Sequence, residues 1–445
     1  MITSVLERLF KLQENGTTVV TELRGGLITF MTMSYIIFVQ PAVLSQAGMD
    51  FGAVMAATCI SSAVAIFIMG LLANYPIALA PGMGENFFFT YTVVLGMGIS
   101  WQVALGAVFI SGVAFIFLSA VRIREMVIEA IPPSLQHAIG AAIGLFIAFI
   151  GLQQAGIVVG NPGSLVQLGN ITSPPVLLMF AGLIVTAALL IRKVPGAILW
   201  GMVATALIGL PFGLVTFHGF VSAPPSLAPT FLKMDVAGAW NMGLATVILV
   251  FLFMVLFDTV GTVIGVSTQA GYLKNGKLPR AGRVLMTDAI GTALGAALGT
   301  STVTSYVESS AGIAAGARTG LANTVTGLLF LFSLVFVPLV QTVGGGCPIG
   351  DGKFLYPITA PVLVLVGAMM SKSILKINWD DWSDAIPAFL TMIGMPLTYN
   401  IAHGLAFGLI TYPLLKLLSG KGKEVSWLMY VLGVLFVLRY ALMKG

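Results

Sequence analysis

Two glutamates stand inside segments of the chain that are otherwise apolar enough to lie within a membrane. Glu85 follows Pro81-Gly82-Met83-Gly84, and Glu308 precedes Ser309-Ser310-Ala311-Gly312. Because a carboxylate at membrane depth is energetically costly, each glutamate marks a candidate substrate or ion site. The nearby glycines and proline indicate an interrupted helix. Interrupted segments in corresponding positions of two halves are typical of a transporter's binding site.

Glu308 is the first candidate for a ligand-binding group. Ser309, Ser310 and Gly312 after it are expected to begin a half-helix with free N–H groups and a positive dipole end. The stretch 300–307 before it is rich in Thr, Ser and Val, which favours an extended strand. An ionised glutamate here can accept two N–H bonds from a planar ligand. The alternative is a carboxylate that only bonds backbone N–H groups or faces a water-filled vestibule.

Glu85, Asn86 and Phe87 form the second candidate group. Asn86 offers both a donor and an acceptor, and Phe87 begins a run of three phenylalanines, any of which could stack on a ligand. Packing is the more common role of such a run. Glu85 has the alternative of facing an aqueous vestibule or pairing with another residue.

Asp258 is a lone acid in the apolar run 251–262. Desolvation there penalises the charged form, which suits a group that gains and loses a proton during a transport cycle. The alternative is a structural partner for hydroxyl groups on a neighbouring helix. Asp288 stands near the start of a predicted span, where helix capping and a functional role are equally good explanations. The expected substrate-binding residues are Glu308, Asp258, Asn86, Glu85, Ser309 and Phe87, and the expected proton-coupling residues are Asp258 and Glu85.

Composition indicates a multi-pass protein of the cell membrane. Of 445 residues, 58% are hydrophobic and 8% are charged, whereas soluble proteins carry roughly 25% charged residues. The net charge of +5 is attributed to cytoplasmic Lys and Arg, because no basic run suggests nucleic-acid binding. Cys59 and Cys347 provide neither a disulfide framework nor a metal cluster. We therefore expect no cofactor, no metal and, in the absence of a nucleophile–base pair, no enzyme.

Apolar runs of about 20 residues predict fourteen membrane spans. They lie near 21–44, 52–73, 77–98, 100–121, 132–152, 174–191, 195–216, 240–266, 281–299, 301–317, 319–342, 354–371, 384–399 and 400–419. Loop cations follow the even-numbered spans: Arg122, Arg124, Arg192, Lys193, Lys274, Lys277, Arg280, Arg283, Arg318, Lys372 and Lys376. The positive-inside rule therefore predicts a cytoplasmic N-terminus. A further apolar stretch, 426–442, either lies along the interface or spans again, leaving Lys444 outside.

Two features recur at the same offset in the two halves of the chain. Gln46-Ala47-Gly48 returns as Gln269-Ala270-Gly271, and the spacing between these two copies equals the spacing between Glu85 and Glu308. Seven spans is an odd number, so a second set of seven would run inverted relative to the first. In this register Tyr35 corresponds to Asp258.

At these residues the chain resembles the nucleobase–cation symporter-2 group, and within it the AzgA-like purine permeases that carry adenine, guanine and hypoxanthine. The matching segments are 32–41, 81–84, 257–262, 287–320 and 386–399. The resemblance covers nearly the whole chain and implies an all-α polytopic membrane protein with fourteen segments in a 7+7 inverted repeat. It also implies short antiparallel strands that break spans 3 and 10 and meet at the substrate.

The resemblance further implies two domains built from both repeats. A core domain would comprise residues 1–121 (spans 1–4) and 240–342 (spans 8–11). A gate domain would comprise residues 122–239 (spans 5–7) and 343–445 (spans 12–14 and the last apolar segment). A homodimer through the gate domain is left open.

Family members are proton symporters in which an acid on span 8 and an acid on span 10 hold the base. These positions match Asp258 and Glu308, and the family's span-3 asparagine matches Asn86. Glu85 departs from the pattern, because the family usually has a small or apolar residue there. The departure leaves substrate choice and proton stoichiometry open.

The sequence therefore predicts a secondary transporter that imports purine nucleobases with protons by alternating access. The alternative is a sulfate-type anion transporter of the same architecture. Such a site needs bare helix N-termini or a cation near span 10, whereas Glu308 stands there and would repel an anion. A passive channel fits paired interruptions around buried acids less well.

Overall fold

The apolar runs of the sequence fold into helices, because a helix satisfies its backbone N–H and C=O groups internally where no water is available. The computed structural model describes residues 2–120, 131–272, 278–350 and 353–442. Within these ranges, eight helical stretches are long and apolar enough to cross a membrane. They are Val19–Ala47, Phe51–Ala73, Trp101–Ala120, Pro133–Gln154, Pro174–Ile191, Ala245–Thr268, Gly320–Gly344 and Ile401–Leu418.

The first half of the chain contains ten α-helices and three strands in its described part. The helices are α1 (Ile2–Phe10), α2 (Val19–Met33), α3 (Ile36–Leu44), α4 (Phe51–Ile68), α5 (Met83–Phe87), α6 (Trp101–Ala120), α7 (Pro133–Gln154), α8 (Pro174–Ile191), α9 (Ala197–Gly209) and α10 (Val236–Asn241). The strands are β1 (Leu79–Pro81), β2 (Val158–Asn161) and β3 (Leu165–Leu168). β2 and β3 form an antiparallel hairpin.

The second half begins with the longest helix of the described chain. Its helices are α11 (Ala245–Ala270), α12 (Ala281–Leu298), α13 (Ser309–Ala314), α14 (Gly320–Phe332), α15 (Val337–Gly344), α16 (Ala360–Met370), α17 (Trp382–Leu397), α18 (Ile401–Leu418) and α19 (Trp427–Leu442). Its strands are β4 (Val303–Ser305), β5 (Cys347–Gly350) and β6 (Lys353–Leu355). β5 and β6 pair with each other, and β4 pairs with β1 from the first half.

The repeated Gln-Ala-Gly motif ends a helical segment in both halves. Gly48 follows the helical turn Ser45–Ala47 with φ 83°, and Gly271 follows α11 with φ 70°. Glycine adopts this left-handed conformation without the steric cost that a Cβ atom brings. The same motif thus has the same structural role in the two halves.

The chain divides into two compact units. The first consists of Met1–Ala120 and Leu152–Val362, and the second of Val121–Gly151 and Leu363–Gly445. Large side chains fill the interior of the first unit, where Phe88 packs edge-to-face on Phe251 with ring centroids 4.9 Å apart. All six predicted substrate-binding residues belong to this first unit.

In the second unit, an ion-pair network joins the start of α17 to the end of α18. Lys416 Nζ lies 2.8 Å from Asp384 Oδ1 and 3.3 Å from Asp381 Oδ2, and Lys421 Nζ lies 2.7 Å from the same Asp381 oxygen. Asp381 also caps α17 by accepting the Ser383 N–H. The Lys421 ammonium and the Ser383 donors hold the pKa of Asp381 well below its usual range.

Several predicted features lie outside the described residues. They are the loop cations Arg122, Arg124, Lys274 and Lys277, the boundary between the predicted domains at 121–122, and Lys444.

Glu22 is a fully buried carboxylate that caps the start of α14 from another helix. It accepts the backbone N–H groups of Arg318 at 2.7 Å and of Thr319 and Ala322 at 3.2 Å. Glu22→Ala leaves these donors unsatisfied, and a hydrogen bond to a charged group contributes about 1.5–3 kcal/mol. We therefore expect a clear fall in the melting temperature of the purified protein in detergent.

The matched control for this prediction is Glu14→Ala, which removes an exposed ion pair to Lys11 at 2.9 Å. Exposed pairs contribute about 0–1 kcal/mol, so this variant should melt close to the wild-type temperature. Equal melting temperatures for Glu22→Ala and Glu14→Ala would contradict the capping role of Glu22.

Candidate functional site

A short antiparallel ladder of strands β1 and β4 lies at the centre of the candidate site. Leu79 pairs with Ser305, Ala80 with Thr304 and Pro81 with Val303. All these strand residues are buried. Strand β1 is followed by α5, which continues as a π-helix over Phe88–Gly96, and strand β4 is followed by the short helix α13. The ladder therefore brings the residues around Glu85 and those around Glu308 into one part of the first unit.

Glu308 lies immediately before α13, and its carboxylate is bound by Tyr35. The Tyr35 hydroxyl donates to Glu308 Oε1 at 2.6 Å. Tyr35 sits at the break between α2 and α3 and is 1% exposed, whereas Glu308 is only partly buried. One carboxylate oxygen is thus fixed by a phenol, and the carboxylate keeps further acceptor positions for a ligand.

Close packing of small residues holds α13 against α2. A Cβ atom at Gly312 would collide with Thr29 Oγ1 and with the backbone oxygen of Gly25. Glycine is therefore required at Gly312 for this approach of the two backbones. The packing sets the position of Glu308, which directly precedes α13.

Asp258 projects from α11 towards strand β4. Thr304 Oγ1 donates to Asp258 Oδ2 at 3.0 Å, and the Asp258 side chain is partly exposed. Thr304 therefore links the acid of α11 to the ladder. Because its only described partner is a neutral hydroxyl, Asp258 is not held in the charged state by a cation.

Glu85 is 2% exposed and lies in the first turn of α5. Its Oε1 atom has no hydrogen-bond partner among the described residues. Gly82 makes room for its other oxygen, because a Cβ atom at that position would collide with Glu85 Oε2 and lie 3.1 Å from Thr304 Oγ1. Glu85 Oε2 and the Thr304 hydroxyl that donates to Asp258 thus both lie beside Gly82.

Asn86 belongs to a buried cluster of amide and hydroxyl groups. Gln40 Nε2 donates to Asn86 Oδ1 at 3.1 Å and to Thr300 Oγ1 at 2.8 Å, and Ser301 Oγ also donates to Asn86 Oδ1. Gln40, Asn86, Thr300 and Ser301 are all at most 1% exposed. We name these four residues the amide cluster.

Asp288 is not at a helix N-terminus, so the capping explanation for it is wrong. It lies inside α12, which begins at Ala281, and its carboxylate accepts the Ser305 hydroxyl at 2.9 Å and the Ser305 N–H at 3.4 Å. Asp288 on α12 therefore holds strand β4 through two hydrogen bonds from Ser305.

Phe87 and Ser309 both have partners within the first unit. The Phe87 ring is fully buried and stacks on Tyr91, with centroids 5.8 Å apart and an interplanar angle of 7°. Ser309 Oγ accepts the Ala78 N–H at 2.9 Å and so joins α13 to the chain just before β1.

Sequence reasoning missed the residues that hydrogen-bond to three of the acids and to Asn86. The Glu308 carboxylate is bound by Tyr35, and the Asn86 amide by Gln40. The carboxylates of Asp258 and Asp288 are bound by Thr304 and Ser305, in that order. The available signal was a polar side chain in an apolar span, as at Gln40, which directly precedes Pro41. Over the described ranges, no group of three His, Cys, Asp or Glu residues could hold a metal ion.

Multi-pass helices with paired interruptions and acids at membrane depth are typical of membrane transporters. Residues 21–433 match the xanthine/uracil permease model, described as Permease family, and the chain belongs to that family. The family consists of permeases, so the protein is a permease and not an enzyme.

Three similar proteins align with nearly the full length of the chain. A putative permease of Methanocaldococcus jannaschii is 52% identical, covering 100% of both chains. Guanine/hypoxanthine permease PbuG of Bacillus subtilis is 49% identical, covering 99% of this chain and 100% of PbuG. Adenine permease AdeP of Escherichia coli is 43% identical, covering 98% of this chain and 96% of AdeP.

Solved structures of membrane transporters share the fold. The transmembrane domain of the cyanobacterial bicarbonate transporter BicA has a TM-score of 0.64 at 13% identity, covering 87% of this chain and 96% of that domain. The murine anion transporter Slc26a9 has a TM-score of 0.59 at 11% identity, covering 88% of this chain and 68% of the Slc26a9 chain. At these identities the likeness concerns the fold alone.

Proposed function

We propose that this protein is a secondary active transporter that imports purine nucleobases, namely adenine, guanine or hypoxanthine, together with protons. The observation that carries the proposal is the pair of acids, Glu308 and Asp258, beside the β1–β4 ladder. Relatives that match the chain end to end are named as guanine/hypoxanthine and adenine permeases. An uncharged planar base with N–H groups on its edges suits such a pair of acceptors.

In this proposal Glu308 accepts N–H bonds from one edge of the base, and Asp258 engages the other edge. Tyr35 orients the Glu308 carboxylate so that its remaining acceptor positions face the ligand. Asn86, Glu85 and Ser309 satisfy the polar atoms that remain. Phe87 supplies an aromatic ring on one face of the base.

Proton coupling is assigned first to Asp258 and second to Glu85. Asp258 is partly exposed and has a neutral hydroxyl partner, so it can exchange a proton without breaking an ion pair. Protonation removes a charge that is costly to move through a low-dielectric region, which lowers the barrier to the transport movement. One proton entering down 100 mV supplies about 2.3 kcal/mol for accumulation.

The proposed transport cycle is alternating access in a fourteen-span protein of two inverted sets of seven. The N-terminus is assigned to the cytoplasm, and the core residues 1–121 and 240–342 move against the gate residues 122–239 and 343–445. Support comes from the spacing of Glu85 and Glu308, which equals that of the two Gln-Ala-Gly copies, and from the pairing of β1 with β4. A homodimer would form through the gate residues.

The alternative function is anion transport, because the solved transporters that share the fold include a bicarbonate transporter and an anion transporter. Two carboxylates, Glu308 and Asp258, disfavour an anion at this site. The relatives' names also favour nucleobases.

Uptake of radiolabelled adenine, guanine, hypoxanthine, uracil and sulfate into purine-transport-deficient cells tests the proposal. We expect purine uptake that a protonophore abolishes. Sulfate accumulation without purine uptake would keep the fold and overturn the function.

Tyr35→Phe should weaken purine binding by about tenfold, because the Glu308 carboxylate loses a charge-assisted hydrogen bond that orients it. The measurement is the KM for uptake of the preferred purine. Tyr75→Phe is the matched control: Tyr75 is equally buried, but its hydroxyl donates to the Pro279 carbonyl instead. An unchanged KM for Tyr35→Phe, or an equal change in both variants, would contradict the role of Tyr35.

A further inference from the structure

The spacing between the two Gln-Ala-Gly copies also relates the two strands of the β1–β4 ladder. Moving first-half residues forward and second-half residues back by this spacing exchanges two pairs of the ladder with each other: Ala80–Thr304 and Pro81–Val303. The third pair is exchanged with a contact just beyond the strands, in which the Gly82 N–H donates to the Thr302 carbonyl at 3.1 Å. An antiparallel ladder that maps onto itself is the arrangement expected at a twofold axis between inverted repeats.

A side-chain contact on each side of the ladder follows the same relation. Ser309 Oγ accepts the Ala78 N–H at 2.9 Å. The residues that correspond to this pair are Asn86 and Ser301, and Ser301 Oγ donates to Asn86 Oδ1. The register therefore also relates contacts that involve side chains outside the paired strand residues.

The contact between Tyr35 and Glu308 has a counterpart of different chemistry. In the same register Tyr35 corresponds to Asp258, and Glu308 corresponds to Glu85. Asp258 and Glu85 interact electrostatically, and helix α5, which carries Glu85, packs on α11, which carries Asp258. Glu85 Oε1 is buried and has no hydrogen-bond partner among the described residues. A second carboxylate thus stands in one half where a phenol donor stands in the other.

A bound proton can supply the donor that is missing between these two acids. An ionised carboxylate accepts hydrogen bonds but has no hydrogen to donate. Two ionised carboxylates that face each other repel, and a proton shared between them relieves the repulsion. The protonated acid then offers an O–H to the other carboxylate, as the Tyr35 hydroxyl does to Glu308. Two acids coupled in this way titrate as a pair.

The described elements that pack on the helix of Asp258 bring acids and phenols but no cation. Helix α11 packs on α5, α6, α13 and β4. Neither α6 nor α13 nor β4 contains a titratable side chain. Titratable groups that interact electrostatically with Asp258 are Glu85, Asp288, Glu308, Tyr35 and Tyr306. A proton is therefore the positive charge that is available to the pair.

We propose that Glu85 and Asp258 bind the coupled proton as a pair, so that Glu85 sets the pH range in which the protein takes up purines. The inference rests on the proposed function and specifies the proton site of that transport cycle. The proton enters the pair from external water and leaves it to the cytoplasm. The two halves of the protein then differ in role: Glu308, with its tyrosine donor, offers acceptors to the base, and Glu85 holds the proton with Asp258.

The pH dependence of uptake tests the pair through Glu85→Gln. The full-length protein is reconstituted into vesicles at a fixed membrane potential, and initial uptake of a labelled purine that the wild type transports is measured over a range of external pH. Wild-type uptake should fall as the pH rises and the pair loses its proton. In Glu85→Gln the neighbour of Asp258 is uncharged and its NH₂ group donates to the ionised carboxylate, so Asp258 binds a proton less tightly. The pH of half-maximal uptake should therefore lie about one unit or more lower, while accumulation persists at acidic pH.

Two further variants separate this role from a structural one. Glu85→Leu places an apolar residue where the family usually has one, and its half-maximal pH should also be lower because the repelling carboxylate is gone. Glu14→Gln, at an exposed glutamate, should keep the wild-type value. A purely structural defect lowers the maximal rate and leaves the half-maximal pH in place.

An unchanged or higher half-maximal pH in Glu85→Gln and Glu85→Leu would overturn the inference, while their purine uptake would leave the proposed function intact. If one of the two variants fails to reach the membrane, the other decides. Absence of purine uptake in the wild type would instead remove the proposed function, and the inference with it.

Discussion

Glu308→Gln should reduce purine uptake by about 10- to 100-fold without changing the amount of protein in the membrane. The glutamine amide has an NH₂ donor in place of one carboxylate oxygen, so the side chain can no longer accept two N–H bonds from the base through its two oxygens. The loss of one charge-assisted bond corresponds to about 1.5–3 kcal/mol, which is about one to two orders of magnitude in affinity. The measurement is initial-rate uptake of the preferred labelled purine over a range of concentrations.

Glu14→Gln is the matched control for this variant. Glu14 is an exposed glutamate whose described ion pair is with Lys11. The Glu14→Gln variant should therefore transport at the wild-type rate. If Glu308→Gln transports as well as Glu14→Gln, the base is not bound at Glu308 and the site has been placed wrongly.

Asp258→Asn should abolish accumulation of purine against its gradient while retaining exchange of labelled for unlabelled base. Asparagine can still bond Thr304, but it cannot take up a proton. One proton per base at 100 mV supports about 50-fold accumulation, from about 2.3 kcal/mol per charge. In the variant the internal concentration should not exceed the external one. Vesicles with an imposed membrane potential measure the accumulation, and counterflow measures the exchange.

The comparison variant for Asp258→Asn is Glu85→Gln. If Asp258 carries the proton, Glu85→Gln keeps potential-driven accumulation. The opposite result, in which Asp258→Asn accumulates normally and Glu85→Gln does not, would move proton coupling to Glu85.

Helix positions were predictable from the sequence because apolar runs and glycine stops have local causes. The span predicted at 174–191 is α8, and the span predicted at 281–299 is α12, which ends one residue earlier. The half-helix expected after Glu308 begins at Ser309. The Gln-Ala-Gly repeat marks a helical end in both halves because Gly48 and Gly271 both have positive φ.

Side-chain contacts between distant segments were not predictable in the same way. Tyr35 lies 273 residues from Glu308, and Gln40 lies 260 residues from Thr300. No local pattern specifies which polar side chains of two spans meet. Asp288 shows the consequence. Its position near the start of a predicted span fits a cap and a functional role equally well, whereas strand β4 places Ser305 against its carboxylate.

Proton entry coupled to purine entry is the most direct test of the account. The purified protein is reconstituted into vesicles that contain a pH-sensitive dye, and hypoxanthine or guanine is added outside without a pH gradient. We expect internal acidification on addition of the base, with none on addition of sulfate, and a loss of the signal in Glu308→Gln. Purine entry without any acidification would contradict proton symport, and acidification that persists in Glu308→Gln would contradict the site.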